Sequence, residues 1–163
     1  MNTSEIEGYP RVRVAVQKDV AELTKLINAA FVVERLFLEG ERIDERGTRG
    51  FFEKGKFLVL EDSSGMHGCV YCELRGDRGY IGLLAVYPAR QGTGLGRKLM
   101  ASAEEFFRSA GCVVADLRII SQRTPLPALY RHLGYEETGT APFAASLPLK
   151  APGHYILMSK QLL

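Results

Sequence analysis

Gln91-Gly92-Thr93-Gly94-Leu95-Gly96 sets three alternate glycines directly before a run with helical spacing. Without Cβ atoms, glycines let a ligand approach the backbone closely. The first turn of a helix adds N–H groups with no intrahelical partner and the positive end of the helix dipole. Such a turn can wrap a phosphate or pyrophosphate in backbone amides. The plainer alternative is a tight turn with no guest, but alternate glycines exceed what one turn needs. The P-loop pattern is absent, because Arg97-Lys98-Leu99 stands where Gly-Lys-Ser/Thr would be required. The dinucleotide fingerprint has G-x-G-x-x-G, whereas this stretch has G-x-G-x-G. Asp116 lies near the distance of a ribose-binding acid, so a nucleotide reading survives only weakly.

The flanking elements must aim this turn. Tyr80 to Val86 is a short apolar run of strand character, and Pro88 ends it. Leu95, Leu99, Ala103, Phe106 and Ala110 fall on one helical face, which predicts a helix that stops at Gly111. Cys112 to Ile120 reads as the next strand. The strand–helix–strand connection makes it parallel to the preceding strand, with a right-handed crossover.

Upstream, Arg11 to Val16 alternates as a half-buried strand. Asp19 can cap or charge a helix whose apolar face is Val20, Leu23, Leu26, Ile27 and Ala30. Ile43 to Glu53 reads as a further short helix ending before Gly55. Lys56 to Glu61 and His67 to Leu74 form a hairpin across Asp62-Ser63-Ser64-Gly65, and Gly76 to Gly79 turns into the central strand. A three-strand meander followed by a helix argues against a doubly wound dinucleotide fold.

At 163 residues, the chain reads as one domain spanning 1–163, with near-average hydrophobic (46%) and charged (25%) content. Net charge of +2 is too mild to argue for nucleic acid or a membrane surface. No run reaches membrane-spanning length and the N-terminus has no apolar signal core, so the expected location is cytoplasmic. Cys69 and Cys72 are three apart on a strand and point to opposite faces, and Cys112 has no second pair. All three read as small core residues, and no metal is expected.

The stretch 79–110 resembles the acyl-CoA signature of the GNAT superfamily of N-acyltransferases, Q/R-x-x-G-x-G/A, with Gln91, Gly94 and Gly96 in the fixed places. Leu84-Ala85-Val86 and Pro88 are similar to the end of the family's fourth strand. Pro127-Ala128-Leu129-Tyr130-Arg131-His132-Leu133-Gly134-Tyr135 resembles a second family segment, a short helix running into a strand at Gly134. Arg123 departs from the pattern, standing where the family often has Asn, and Pro125 and Pro127 stiffen the approach.

The resemblance implies an α+β, three-layer α/β/α fold. Its mixed sheet would have six to seven strands, with strands 4 and 5 a splayed parallel pair. It implies acetyl-CoA as co-substrate, held by Leu84, Ala85, Val86, Gln91, Gly92, Thr93, Gly94, Leu95, Gly96 and Arg97. The activity implied is acetyl transfer to a primary amine of a small molecule or peptide, by direct attack in a ternary complex. A non-catalytic acyl-CoA sensor and a nucleotide-binding oxidoreductase are the alternatives. The family's acceptor groove lies beside the segment joining the first two helices, here Glu34 to Arg42. That segment is otherwise read as an amphipathic helix or an exposed connector.

Amide formation from a thioester needs a neutral amine, a group to polarise the carbonyl and a proton for the leaving thiolate. Tyr130 is the expected acid and Glu73 the expected base, directly or through water; Glu39 and Glu41 are alternatives to Glu73. His67, His132 and His154 are scattered, with His154 opening a last strand to Ser159. The long connector Thr140 to Gly153 reads either as a cover for the acceptor groove or as a homodimer contact.

Overall fold

The apolar alternation along the chain builds a seven-stranded sheet with helices on both faces. This computed structural model describes residues 10–144 and 147–162. The strands are β1 (Arg11–Val14), β2 (Lys56–Asp62), β3 (Gly65–Arg75), β4 (Arg78–Val86), β5 (Val114–Ile120), β6 (Glu136–Pro142) and β7 (His154–Gln161). The helices are α1 (Val20–Ala30), α2 (Glu45–Lys54), α3 (Leu95–Ser109) and α4 (Leu126–His132). Sheet order is β1-β2-β3-β4-β5-β7-β6. All neighbours are antiparallel except β4 and β5. The three-layer mixed sheet of the sequence reading is therefore present, at the upper end of the expected strand count.

Two apolar layers sandwich the sheet. On one face Leu23, Leu26 and Ile27 of α1 pack with Phe57, Val59, Cys69, Tyr71, Leu83 and Ala85. On the other, Leu99, Met100, Ala103 and Phe107 of α3 pack with Leu58, Val70, Cys72, Ile81 and Leu117. Cys69 and Cys72 thus enter opposite layers, as their spacing requires. The buried face of α3 is rotated from the expected one: Phe107 is enclosed, while Phe106 is only partly covered and Ala110 is exposed. The helix does stop at Gly111, whose φ of 86° is the left-handed conformation glycine adopts freely.

Local detail differs at two caps. Asp19 does not cap α1; its carboxylate accepts from Arg13 and from the Val16 amide. The Asp44 side chain caps α2 instead, accepting from the Gly47 amide at 2.7 Å.

Close approach of α3 to the sheet depends on glycine. A Cβ built on Gly79 of β4 would lie 2.3 Å from the Phe107 ring, and one on Gly68 of β3 would lie 2.8 Å from Leu99 Cδ1. Gly79→Val should therefore destabilise the fold by about 1–3 kcal/mol through overpacking. Gly50→Ala, inside α2 with open space around its Cβ, should stabilise by roughly 0.5–1 kcal/mol. Urea unfolding of both variants checks the opposite signs.

Candidate active site

The parallel pair separates almost as soon as it forms. Arg78, Gly79 and Tyr80 pair with Val114, Ala115 and Asp116, and the register ends there. From Ile81 to Val86 the edge of β4 toward β5 is unpaired, as is the facing edge of β5 from Leu117, and the two strands bound a gap. The expected splay is therefore a feature of this chain. β4 also carries an extra residue against β3 between Gly82 and Ala85, at a bulge where Leu83 has φ of 48°. Gly82 and Leu83 consequently face the same layer, and the residues beyond them are re-phased. No glycine marks the left-handed position, so the sequence held no signal for it.

At the far end of the cleft, the chain passes through a 3₁₀ turn, Pro88–Arg90, into the glycine segment. Gln91 Nε2 donates to the Val86 carbonyl at 3.1 Å, tying the turn to the end of β4. Gly92 and Gly94 have φ of 78° and 86°, and Gly94 is the N-cap of α3 with no side-chain cap. A Cβ built on Gly92, Gly94 or Gly96 would meet nothing within 4 Å. The space their missing side chains leave is open to a ligand, and the amides at the start of α3 lack a capping side chain. A pyrophosphate fits this donor set.

Tyr130 of α4 packs on the α3 side of the sheet, its ring 6.1 Å from that of Tyr135. Among the described residues its hydroxyl has no hydrogen-bond partner. Burial pushes its pKa up to about 12, with the Arg123 charge pulling the other way. Tyr135 is fixed in turn by Glu104, which it reaches at 3.0 Å and which also accepts from Lys160.

Glu73 of β3 lies opposite Tyr80, where β4 and β5 are still paired, and on the face away from Tyr130. Burial favours its neutral form, but bonds from Tyr71 and Arg75 and the charge of Lys54 together hold its pKa below the usual carboxylate range. The structure thus does not bring Glu73 and Tyr130 together. Asp116 is likewise committed, to Arg78 and Ser159. The ribose role raised by its spacing has no free carboxylate to perform it.

The segment after α1 turns through a short 3₁₀ helix, Val32–Leu36, and meets the late connector. Leu38 bridges to Leu149, the Glu39 amide donates to Pro148 and the Lys150 amide to Phe37. The connector thus folds onto the chain's own α1–α2 segment; Ala145 and Ser146 lie outside the described residues. Glu39 and Glu41 are exposed, and Glu41 accepts from Asn28 and Arg35.

Glu34, not singled out in the sequence, is buried at 7% exposure in this segment. Arg123 Nη1 reaches its carboxylate at 3.1 Å and Arg42 lies 3.9 Å away. Burial raises the Glu34 pKa against the pull of both arginines. The departure at Arg123 is therefore a latch between the β5–α4 loop and the α1–α2 segment.

A Ser–His–Asp grouping also occurs at the β2–β3 turn, among Ser64, His67 and Asp62. Ser64 Oγ and Asp62 Oδ1 both contact the same His67 Nε2, at 3.0 and 2.7 Å. A nucleophile relay needs the two partners on different ring nitrogens, so this cluster locks a turn. Among the described residues no group of acidic, histidine or cysteine side chains could hold a metal, and no helix is long and apolar enough to cross a membrane.

Strands that part beside a glycine-rich helix start thus form the candidate site, and the acetyltransferase (GNAT) domain family matches residues 53–137. The chain belongs to this family. It is 27% identical over 96 residues to mycothiol acetyltransferase of Clavibacter sepedonicus, a match covering 58% of this chain and 32% of that protein. The chain thus matches about a third of the length of that curated relative. Among solved structures, the ribosomal-protein-S18-alanine N-acetyltransferase of Escherichia coli superposes with TM-score 0.73 at 18% identity over 94% of each chain. Ard1 of Thermoplasma volcanium superposes at 0.77 with 14% identity, over 94% of this chain and 98% of that one. A Salmonella typhimurium protein whose structure carries acetyl-CoA superposes at 0.72 with 24% identity, over 94% of each chain. These three likenesses establish the fold.

Arg123→Met should destabilise by about 3 kcal/mol at pH 7, because it strips a partner from a buried carboxylate. Without Arg123 the folded-state pKa of Glu34 rises further above its unfolded value. The folded state then binds the proton more tightly, and the lost stability should return as pH falls through that raised pKa. Denaturant midpoints between pH 5 and 8 test this; a pH-independent deficit would assign the loss to packing. Glu34→Gln/Arg123→Met should be more stable than Arg123→Met alone at pH 7.

Proposed function

We propose that the protein transfers an acetyl group from acetyl-CoA to a primary amine of a small molecule or peptide, by direct attack with both substrates bound. The observation that carries this reading is the parting of β4 and β5 after Tyr80, with an uncapped, glycine-lined helix start at the end of the cleft. Acetyl-CoA, when bound, supplies an acetyl group already activated as a thioester.

The chain's residues supply the rest. Backbone amides from Gly92 through Arg97, including Thr93, Leu95 and Gly96, would hold the pyrophosphate, with Gln91 bracing their turn. The stretch Leu84, Ala85 and Val86, which β5 leaves unpaired, would align the pantetheine arm and polarise the carbonyl through backbone groups not already taken by β3 or by Gln91. Tyr130, with its pKa raised to about 12, stays protonated at every working pH. Its hydroxyl is a donor for the departing sulfur, whose thiol has a reference pKa of about 8.5.

Glu73 is held ionised by its own partners, so it accepts a proton only weakly and through water. Attack then draws on acceptor that is already neutral; the proton its nitrogen sheds as the C–N bond forms and the C–S bond breaks passes to water, and water reprotonates Tyr130. The amine kcat/KM should rise with pH along the titration of the amine, with no inflection in the carboxylate range. A carboxylate-range inflection would return the base role to the protein. Asp116, bonded to Arg78 and Ser159, leaves the nucleotide oxidoreductase reading without its ribose acid.

Two measurements test the function. Acetyl-CoA and CoA should raise the melting temperature while NAD does not, since a ligand selective for the folded state stabilises it by mass action. Gly94→Val, if folded by circular dichroism, should lose that shift. Thiol release across an amine panel then separates a transferase from an acyl-CoA sensor. Tyr130→Phe keeps the ring but removes the donor, so kcat should fall by about 10²-fold or more where chemistry limits turnover. Acetyl-CoA affinity should move only a few-fold. Near-normal kcat, or a loss confined to acetyl-CoA binding, would remove Tyr130 from the chemistry.

A further inference from the structure

We propose that Arg118 is a carboxylate clamp that selects acceptors carrying an anionic group a few bonds from the amine, favouring a free amino acid over an amidated or esterified one. The proposal rests on the transferase reading of the cleft.

Arg118 lies on β5 two residues beyond Asp116, the last β5 residue paired with β4, so its side chain stands at the mouth of the splay. Register places it on the sheet face away from α3. Its neighbours Leu117 and Ile119 enter the α3 layer, whereas Arg118 stands over Tyr80. α1 packs on β3 and β4 of this face. Over β5 and β7 the face carries Arg118, which is exposed, and the partly exposed Tyr155.

The guanidinium carbon of Arg118 is 4.3 Å from the centroid of the Tyr155 ring and 6.0 Å from that of Tyr80. Phe143 meets Tyr155 edge-on at 4.8 Å, and Arg75 covers Tyr80 at 4.0 Å. Arg118 therefore lies against rings braced by further neighbours. Among the described residues no hydrogen bond engages the Arg118 side chain, so its N–H donors are free. That fork matches a carboxylate, and holding the side chain in place reduces the entropy lost on binding.

Charge accounting separates Arg118 from the two arginines nearest it on this face of β3 and β4. Arg75 is answered by Glu73 and Arg78 by Asp116. Across the cleft mouth, Arg123 is answered by Glu34. Among the described residues Arg118 has no carboxylate partner, and the nearby acids are engaged elsewhere. The uncompensated charge of Arg118 thus stands where the acceptor would approach. It would also repel a second cationic group on the acceptor, so the selectivity is against polyamine-like substrates as well.

A carboxylate could come from a free amino acid or from the side chain of a peptide's first residue. The test therefore has three arms: L-amino acids, their methyl esters, and dipeptide amides beginning with Asp, Glu or Ala. Thiol release from acetyl-CoA should favour free acids over esters by about tenfold or more, the worth of one charge-assisted hydrogen bond. Arg118→Met should erase that preference by raising KM for the acids, with KM for acetyl-CoA within about twofold, and Arg118→Lys should keep part of it. Esters used as well as acids, or an unchanged ratio in Arg118→Met, overturns the clamp. A preference seen only among the Asp and Glu dipeptide amides overturns the free amino acid as its ligand.

A binding arm separates this idea from the transferase reading. Thermal shift with the same acids and esters in the presence of CoA should show acid-selective stabilisation that Arg118→Met loses. That result without turnover of any amine leaves Arg118 as a carboxylate-binding site and removes the transferase reading. Turnover without acid preference does the reverse, and the absence of both acid preference and acid-selective stabilisation removes the clamp.

Discussion

The backbone of β4 makes hydrogen bonds to β3 along nearly its whole length but to β5 only at its beginning. A strand buried in mid-sheet with one free edge is costly unless something takes up those N–H and C=O groups. The rest of the molecule follows from keeping that edge free yet rigid. β3 braces the strand from the other side, and the Leu83 bulge re-aims it. Gly79 and Gly68 let α3 lie close enough to deliver its first turn to the end of the gap. β7 inserts between β5 and β6, so β5 is still held on its far side after it leaves β4.

Glu34 and Arg123 add a second constraint at the cleft mouth. An ion pair this buried gives little net stability, since desolvation offsets most of its attraction. Its effect is geometric. It ties the loop leading to Tyr130 to the segment after α1, and Leu38 and Leu149 tie that segment to the late connector. The segment after α1, the late connector and the loop leading to the proposed donor hydroxyl are therefore held together by these contacts.

Much of this was legible in the residues. The glycine turn, the strand before it and the helix after it are local patterns, and periodicity alone carries them. The opposite burial of Cys69 and Cys72 followed from the strand repeat. The rotation of α3 toward Phe107 did not, because two adjacent phenylalanines offer two apolar faces and only the contact at Gly79 chooses between them. The bulge at Leu83 had no glycine to mark it. The ion pair of Glu34 with Arg123 and the stacking of Arg118 on Tyr155 join residues far apart in sequence. Arg123 was visible as a departure from the family pattern, but its partner was not.

The burial of the three cysteines has a practical consequence for every assay of this protein. Cys69 and Cys72 are enclosed in opposite layers, and burial lifts both thiols, Cys72 to about 12 and Cys69 further still. Cys112 is buried and shifted the same way. Thiolate is the reactive form, so a chromogenic thiol reagent added to the folded protein reads liberated CoA and little else. The same three groups become reactive once the core opens, giving an internal gauge that separates a variant that has lost turnover from one that has lost its fold.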